Sequence, residues 1–138
     1  MTYHQGRLIS HVHLRVSNLE RSRTFYRSLL EAIGLADAFG ENDACFYADE
    51  LYVDQAEKYV SRVHLAFQAT TREAVERAYK AALAVGGTDN GKPGKRSYHS
   101  HYYAAFILDP DGNNIEVICE EPTRRSADAV EIERLPEE

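Results

Sequence analysis

The chain repeats itself. Residues 9–35, ISHVHLRVSNLERSRTFYRSLLEAIGL, and residues 62–88, RVHLAFQATTREAVERAYKAALAVGGT, align at an offset of 53. The alignment pairs His11 with His64, Tyr26 with Tyr79, Leu30 with Leu83 and Gly34 with Gly87. Each copy opens with a short alternating run, continues into a helix-length stretch and stops at a glycine suited to a helix C-terminus. Duplication of one supersecondary unit explains all of this together, and it constrains the fold more than any composition does.

The alternation assigns faces. In VHLRV, Val12, Leu14 and Val16 point one way, while His11, His13 and Arg15 point the other. In the second copy Leu65, Phe67 and Ala69 oppose His64, Ala66 and Gln68. The apolar sets are expected to meet the helices. Helix one is predicted from about Glu20 to Ala32, capped by Asn18, with Phe25, Tyr26, Leu29, Leu30 and Ile33 as its stripe. Helix two is predicted from about Arg72 to Val85, capped by Thr70 or Thr71, with Val75, Ala78, Tyr79, Ala82 and Leu83.

Strands are expected after each helix. ACFYA and ELYVDQ are short candidates in the first copy, and YYAAFIL and NIEVIC flank the turn residues Asp109-Pro110-Asp111-Gly112-Asn113 in the second. Each half thus reads as strand, helix, then two or three strands. Residues 86–98, GGTDNGKPGKRSY, form a Gly/Pro-rich basic loop. Its Lys92, Lys95 and Arg96 can steer an anion, although a solvated loop is the plainer reading.

Composition excludes several classes. With 138 residues the chain suits one domain. Hydrophobic residues at 43% and charged residues at 28% are ordinary globular values, so wholesale disorder is excluded. No apolar run approaches the roughly 18 residues of a membrane span. The N-terminal MTYHQGRLIS has no apolar signal core, so a cytoplasmic protein is expected. Cys45 and Cys119 lie in apolar runs and read as buried thiols. The net charge of −6 argues against a nucleic-acid partner. From Glu120 onward there are seven acids and three arginines, so the tail holds −4 of it. That tail lacks a periodic face and reads as an appendage or edge element.

Three residues stand out chemically. Glu116 alternates with Ile115 and Val117, so it faces away from the helix, as do His11 and His64. A carboxylate and two imidazoles on an inner sheet face are expensive unless paired or coordinated. A divalent cation would satisfy all three and leave positions open for substrate. A lone strand histidine is more often a surface residue, and a lone strand glutamate an exposed one. The equivalent placement of His11 and His64 in the repeat is what favours a site.

The opening His11-Val-His-Leu-Arg-Val, followed by Asn-Leu-Glu-Arg-Ser and Phe25-Tyr26, resembles the vicinal oxygen chelate superfamily. So does the ending from Tyr102 through Asp-Pro-Asp-Gly-Asn-Asn-Ile-Glu116. That superfamily includes glyoxalase I, fosfomycin- and bleomycin-resistance proteins and extradiol dioxygenases. The resemblance covers residues 9–119. It implies an α+β fold of paired βαβββ modules forming a curved, barrel-like mixed sheet with helices on the outer face. Module one is expected at about 8–55 and module two at about 61–119, within one domain of 1–119 followed by the tail at 120–138. It also implies a metal held by His11, His64 and Glu116. Glyoxalase I adds a fourth ligand late in the first module, which here maps onto Tyr52 or Tyr47, with Glu50 also in range. A tyrosine there departs from the glyoxalase I pattern and leaves three protein ligands.

His13 shares the face of His11, and it is assigned with Tyr103 to proton handling. Tyr102 and Tyr103 point to opposite faces of their strand. Arg15, Gln68 and His101 are assigned to substrate contact, and His99 to the mouth of the site. The implied function is a metal-dependent lyase, isomerase, thiol-transfer enzyme or dioxygenase acting on a small oxygen-bearing substrate. The metal can be Zn, Fe(II), Mn, Ni or Co. The alternative is a non-catalytic protein that binds and sequesters a drug-like molecule. A homodimer is expected, because His11 belongs to the first half while His64 and Glu116 belong to the second. No membrane partner is expected.

Overall fold

The computed structural model describes residues 2–137. Met1 and Glu138, the outermost residues of the expected domain and tail, lie outside the described residues. In chain order the elements are β1 (Thr2–Gln5), β2 (Val12–Val16), α1 (Leu19–Ala32), a 3-10 turn (Ala36–Ala38), β3 (Phe39–Glu41), β4 (Cys45–Ala48) and β5 (Leu51–Gln55). The second half continues with β6 (His64–Gln68), α2 (Arg72–Ala84), β7 (Thr88–Lys95), β8 (Tyr103–Leu108), β9 (Asn114–Cys119) and β10 (Val130–Glu133).

The two halves have one topology. The first sheet runs β2-β5-β4-β3 and the second β6-β9-β8-β7. In each, the first strand lies parallel to the last, and the remaining pairs are antiparallel. The structure therefore has the α+β class and the paired βαβββ modules that the family resemblance implies, and each half has the strand, helix and following strands read from the repeat. Among the described residues the two sheets are separate and open: no ladder joins the first to the second. The tail is not featureless, because β10 pairs antiparallel with β1 as a two-stranded ribbon.

The helices form where capping and periodicity coincide. Asn18 accepts the Arg21 N–H at 3.0 Å and Thr71 accepts that of Ala74 at 3.0 Å. These caps sit at the same repeat offset. The helix ends differ. Gly34 follows α1 with φ 86°, but after α2 it is Gly86, with φ 99°, that takes the left-handed conformation. Gly87, the repeat partner of Gly34, serves packing instead. A Cβ there would lie 2.6 Å from Ile107 Cγ2 and 2.7 Å from the Ala82 carbonyl oxygen. Helix two is one residue shorter than helix one, which moves its terminal glycine back by one.

One core runs through both modules. Phe25, Tyr26, Leu29 and Leu30 of α1 and Val75, Ala78 and Ala82 of α2 are buried with Leu14, Val16, Val53, Ile107, Ile115 and Val117 from the sheets. The helices also pack on each other. The β8–β9 turn ties the halves together. Asp109, 4% exposed, accepts the Asp111 and Asn113 N–H groups on Oδ1 at 2.9 and 2.8 Å. Its Oδ2 accepts the Tyr26 hydroxyl at 2.6 Å and Asn113 Nδ2 at 2.9 Å. Asp111 accepts from the Ser17 N–H at 3.1 Å and from its hydroxyl. Arg62 donates to the Asp111 carbonyl at 2.7 Å, and the Val63 N–H to Asn113 Oδ1 at 2.8 Å. The Asp-Pro-Asp-Gly-Asn run is thus both the hairpin turn read from sequence and a clamp on both modules.

Candidate metal centre

Strand register places the chemistry on the face of the second sheet that is turned away from the helices. Glu116 stands between Ala66 on β6 and Phe106 on β8. Ile115, Val117 and Cys119 occupy the helix side and are buried in the core. Glu116 itself is 3% exposed. A buried carboxylate must be satisfied, and two side chains do this. His64 Nε2 lies 2.9 Å from Oε1, and the Tyr102 hydroxyl donates to Oε2. The imidazole of His64 is half-exposed and its ring centre lies 6.0 Å from that of Phe106. Burial, and then the hydrogen bond to Glu116, push the Tyr102 phenol well above its ordinary value.

Two expected metal ligands, His64 and Glu116, therefore meet. His11 does not join them. It lies just before β2, exposed, with Nδ1 3.2 Å from the Ser10 hydroxyl. Among the described residues, no group of three or more His, Cys, Asp or Glu side chains is placed to hold one metal ion. The reason is geometric: the clamp and the shared core hold the modules together on the helix side, and the sheet faces turned away from the helices are not closed on one another within the chain.

The first sheet carries a second constellation. His13 Nε2 lies 2.8 Å from Asp54 Oδ1, and its ring meets Tyr52 edge-on at 4.9 Å. In register His13 opposes Tyr52, as Ala66 opposes Glu116. His13 and Ala66 are repeat equivalents, so Tyr52 occupies the position in module one that Glu116 holds in module two. Of the three candidates for a fourth ligand position, Tyr52 is the one on that register.

The other expected site residues are scattered. The Tyr103 hydroxyl donates to Glu76 Oε1 on α2 at 2.8 Å, and the Arg72 guanidinium lies 4.9 Å from its ring. Tyr103 opposes Cys119, which faces the helices, so its phenol points away from Glu116. Burial and then the Glu76 hydrogen bond raise it. Gln68 Oε1 accepts from Arg125 of the tail at 2.5 Å. Arg15 is exposed, and its N–H donates to the Ser61 hydroxyl at 2.8 Å. His101 is exposed with φ 64°, and the His99 ring lies 5.9 Å from that of Tyr102. Sequence alternation offers one of Tyr102 and Tyr103 as a phenol donor, and the assignment to Tyr103 is corrected: Tyr102 is the one on Glu116. Asp54 carries no sequence signal, and Asp109 reads only as a turn residue. Tyr102 is hard to read because YYAAFIL is apolar on both parities. The parity of Cys119 is the signal that separates Tyr102 from Tyr103.

Solved structures share the fold. A glyoxalase/bleomycin resistance protein from Albidiferax ferrireducens is 27% identical, with a TM-score of 0.70, over 82% of this chain and 98% of that one. A glyoxalase-related enzyme from Fulvimarina pelagi is 17% identical, with a TM-score of 0.68, over 94% of this chain and 99% of that one. A variant of glyoxalase I from Zea mays is 22% identical, with a TM-score of 0.58, over 80% of this chain but 45% of that one. No curated protein matches the sequence. The family model of the Glyoxalase/Bleomycin resistance protein/Dioxygenase superfamily matches residues 8–117, and the chain belongs to that superfamily.

Proposed function

We propose that this protein is a metal-dependent enzyme, a lyase, isomerase, thiol transferase or dioxygenase, acting on a small oxygen-bearing substrate. The observation that carries the reading is the buried Glu116 carboxylate with His64 Nε2 at 2.9 Å. An imidazole nitrogen and a carboxylate oxygen side by side on one sheet face suit a divalent cation, because the donor types match and the carboxylate is already desolvated. His64 and Glu116 would hold the metal together with a His11. Bound there, it would act as a Lewis acid on two adjacent substrate oxygens.

The remaining groups are the chain's own. Tyr102 donates to the Glu116 oxygen that His64 does not contact, fixing the carboxylate's orientation. Asp54 accepts from His13 and leaves Nδ1 of that ring for a proton on substrate. The imidazole tautomer follows from the carboxylate partner.

The same reading calls for a homodimer. His11 and the His64–Glu116 pair lie on different modules that do not face each other within the chain, so the partner's first module would supply the missing histidine. A two-fold axis would complete two sites at once. A reducing cytoplasm suits the two buried free cysteines, Cys45 and Cys119.

Elemental analysis of protein purified without an affinity tag tests the proposal. One divalent ion per chain, lost in Glu116→Ala with the fold retained, is the expected result. Stable protein that takes up no Zn, Fe(II), Mn, Ni or Co, yet binds small molecules, would favour the sequestration function instead.

A further inference from the structure

We infer that Arg96 is an anion-binding subsite, and that the substrate carries a carboxylate or phosphoryl group as well as the oxygens that would meet the metal. This rests on taking the Glu116 face of the second sheet as the substrate face. The Arg96 guanidinium carbon lies 5.5 Å from the centre of the Phe106 ring. Phe106 is the direct cross-strand partner of Glu116, and the His64 ring lies 6.0 Å from the same phenyl ring. Guanidinium and imidazole therefore flank one side chain, a separation that one small molecule can span.

The guanidinium is held in place. Its Nη2 donates to the Lys92 carbonyl at 2.7 Å and its Nη1 to the Lys95 carbonyl at 3.3 Å. The Arg96 main-chain N–H donates to the Tyr102 carbonyl at 2.9 Å, which ties it to the residue whose phenol holds Glu116. Glycines clear the space around it. A Cβ on Gly91 would lie 3.3 Å from Nη2, and one on Gly94 would lie 3.1 Å from Nη1. The charge, however, is not balanced. Among the described residues no carboxylate lies within ion-pairing distance of Arg96. Its guanidinium donates to the neutral carbonyls of Lys92 and Lys95, and donors remain free for a bidentate anion. A half-buried, pre-oriented guanidinium on an aromatic ring differs from Lys92 and Lys95, which are simply exposed.

The test uses the full chain, freed of metal by chelation, titrated with phenylphosphonate and with uncharged benzyl alcohol at low salt. Calorimetry and amide NMR shifts report binding. Saturable binding of the phosphonate alone is expected, weakened at least about tenfold by Arg96→Gln and partly restored in Arg96→Lys. Gly94→Ala, which presses on Nη1, is expected to weaken it too and serves if Arg96→Gln does not fold. Lys92→Gln/Lys95→Gln is expected to change it by less than about threefold. No saturable binding below about 10 mM, an unchanged Arg96→Gln, or an equal loss in the lysine variant would overturn the inference. A parallel zinc titration separates the two readings. Phosphonate binding without zinc binding leaves the subsite standing and removes the metal; zinc binding without phosphonate binding does the reverse.

Discussion

The Tyr26 hydroxyl, on the helix of the first module, donates to Asp109 Oδ2 in the last hairpin of the second at 2.6 Å. Both residues are buried, and the bond crosses the boundary between the two copies of the repeat. Burial first, then the charge of Asp109, raise this phenol well above its ordinary value. Tyr26→Phe leaves a buried carboxylate short of one donor, so a loss of about 1–3 kcal/mol is expected in urea unfolding. The pH dependence has a definite sign. The unfolded phenol titrates near about 10, whereas the native one keeps its proton beyond that. The stabilisation is therefore complete below that pH and is lost as pH rises through the folded value. Wild type is expected to lose stability more steeply above about pH 10 than Tyr26→Phe does. Parallel slopes would show that Tyr26 does not carry the effect.

The two glycines after α2 are expected to respond differently. Gly86 has φ 99° with open space around it, a conformation asparagine tolerates, so Gly86→Asn should cost less than about 1 kcal/mol. Gly87→Asn drives a Cβ into Ile107 and the Ala82 carbonyl, and a loss of at least about 2 kcal/mol is expected. Thermal melts of the two variants decide it. The reverse order would mean that the helix ends at Gly87, as the repeat alone suggests.

The shared site can be tested before any substrate is known. His11→Ala and Glu116→Ala homodimers should each lose tight metal binding. Mixed in equal amounts and allowed to exchange subunits, they should regain it at about a quarter of all sites, because each heterodimer has one intact and one doubly altered site. A chromophoric zinc competitor reads the recovery. Proven exchange without recovery rejects the cross-chain site, and a monomeric mass at micromolar protein rejects the dimer.

Tyr102 and Tyr103 are adjacent and face opposite ways, which makes them mutual controls. Tyr102→Phe removes a donor from Glu116 and is expected to weaken zinc binding about 10- to 100-fold. Tyr103→Phe removes only the bond to Glu76 and should leave zinc affinity unchanged. Equal effects would indicate a general loosening of β8 rather than a role in holding Glu116.

Much of this protein is legible in its sequence because the governing interactions are local. Asn18 and Thr71 cap helices through bonds three residues on, and 3.6-residue stripes mark the buried faces of α1 and α2. Period-2 alternation placed His64 and Glu116 on the face away from those helices, and the structure brings them to 2.9 Å. The comparison of copies gave the common topology of the two modules. Other features depend on which strand lies beside which. Tyr52 becomes the counterpart of Glu116 only through the β2–β5 register, and Asp54 meets His13 across 41 positions of chain. The role of Asp109 as a clamp needs Tyr26, 83 residues away. Arg96, which reads as part of a solvated loop, acquires a surface only when β7 brings it over Phe106. Above all, the sequence lines up three metal-ligand residues, two histidines and a glutamate, without saying where the modules sit. Packing α1 against α2 over one core sets the sheets side by side and leaves His11 apart from its two counterparts, an outcome decided by burial of apolar surface rather than by any local pattern.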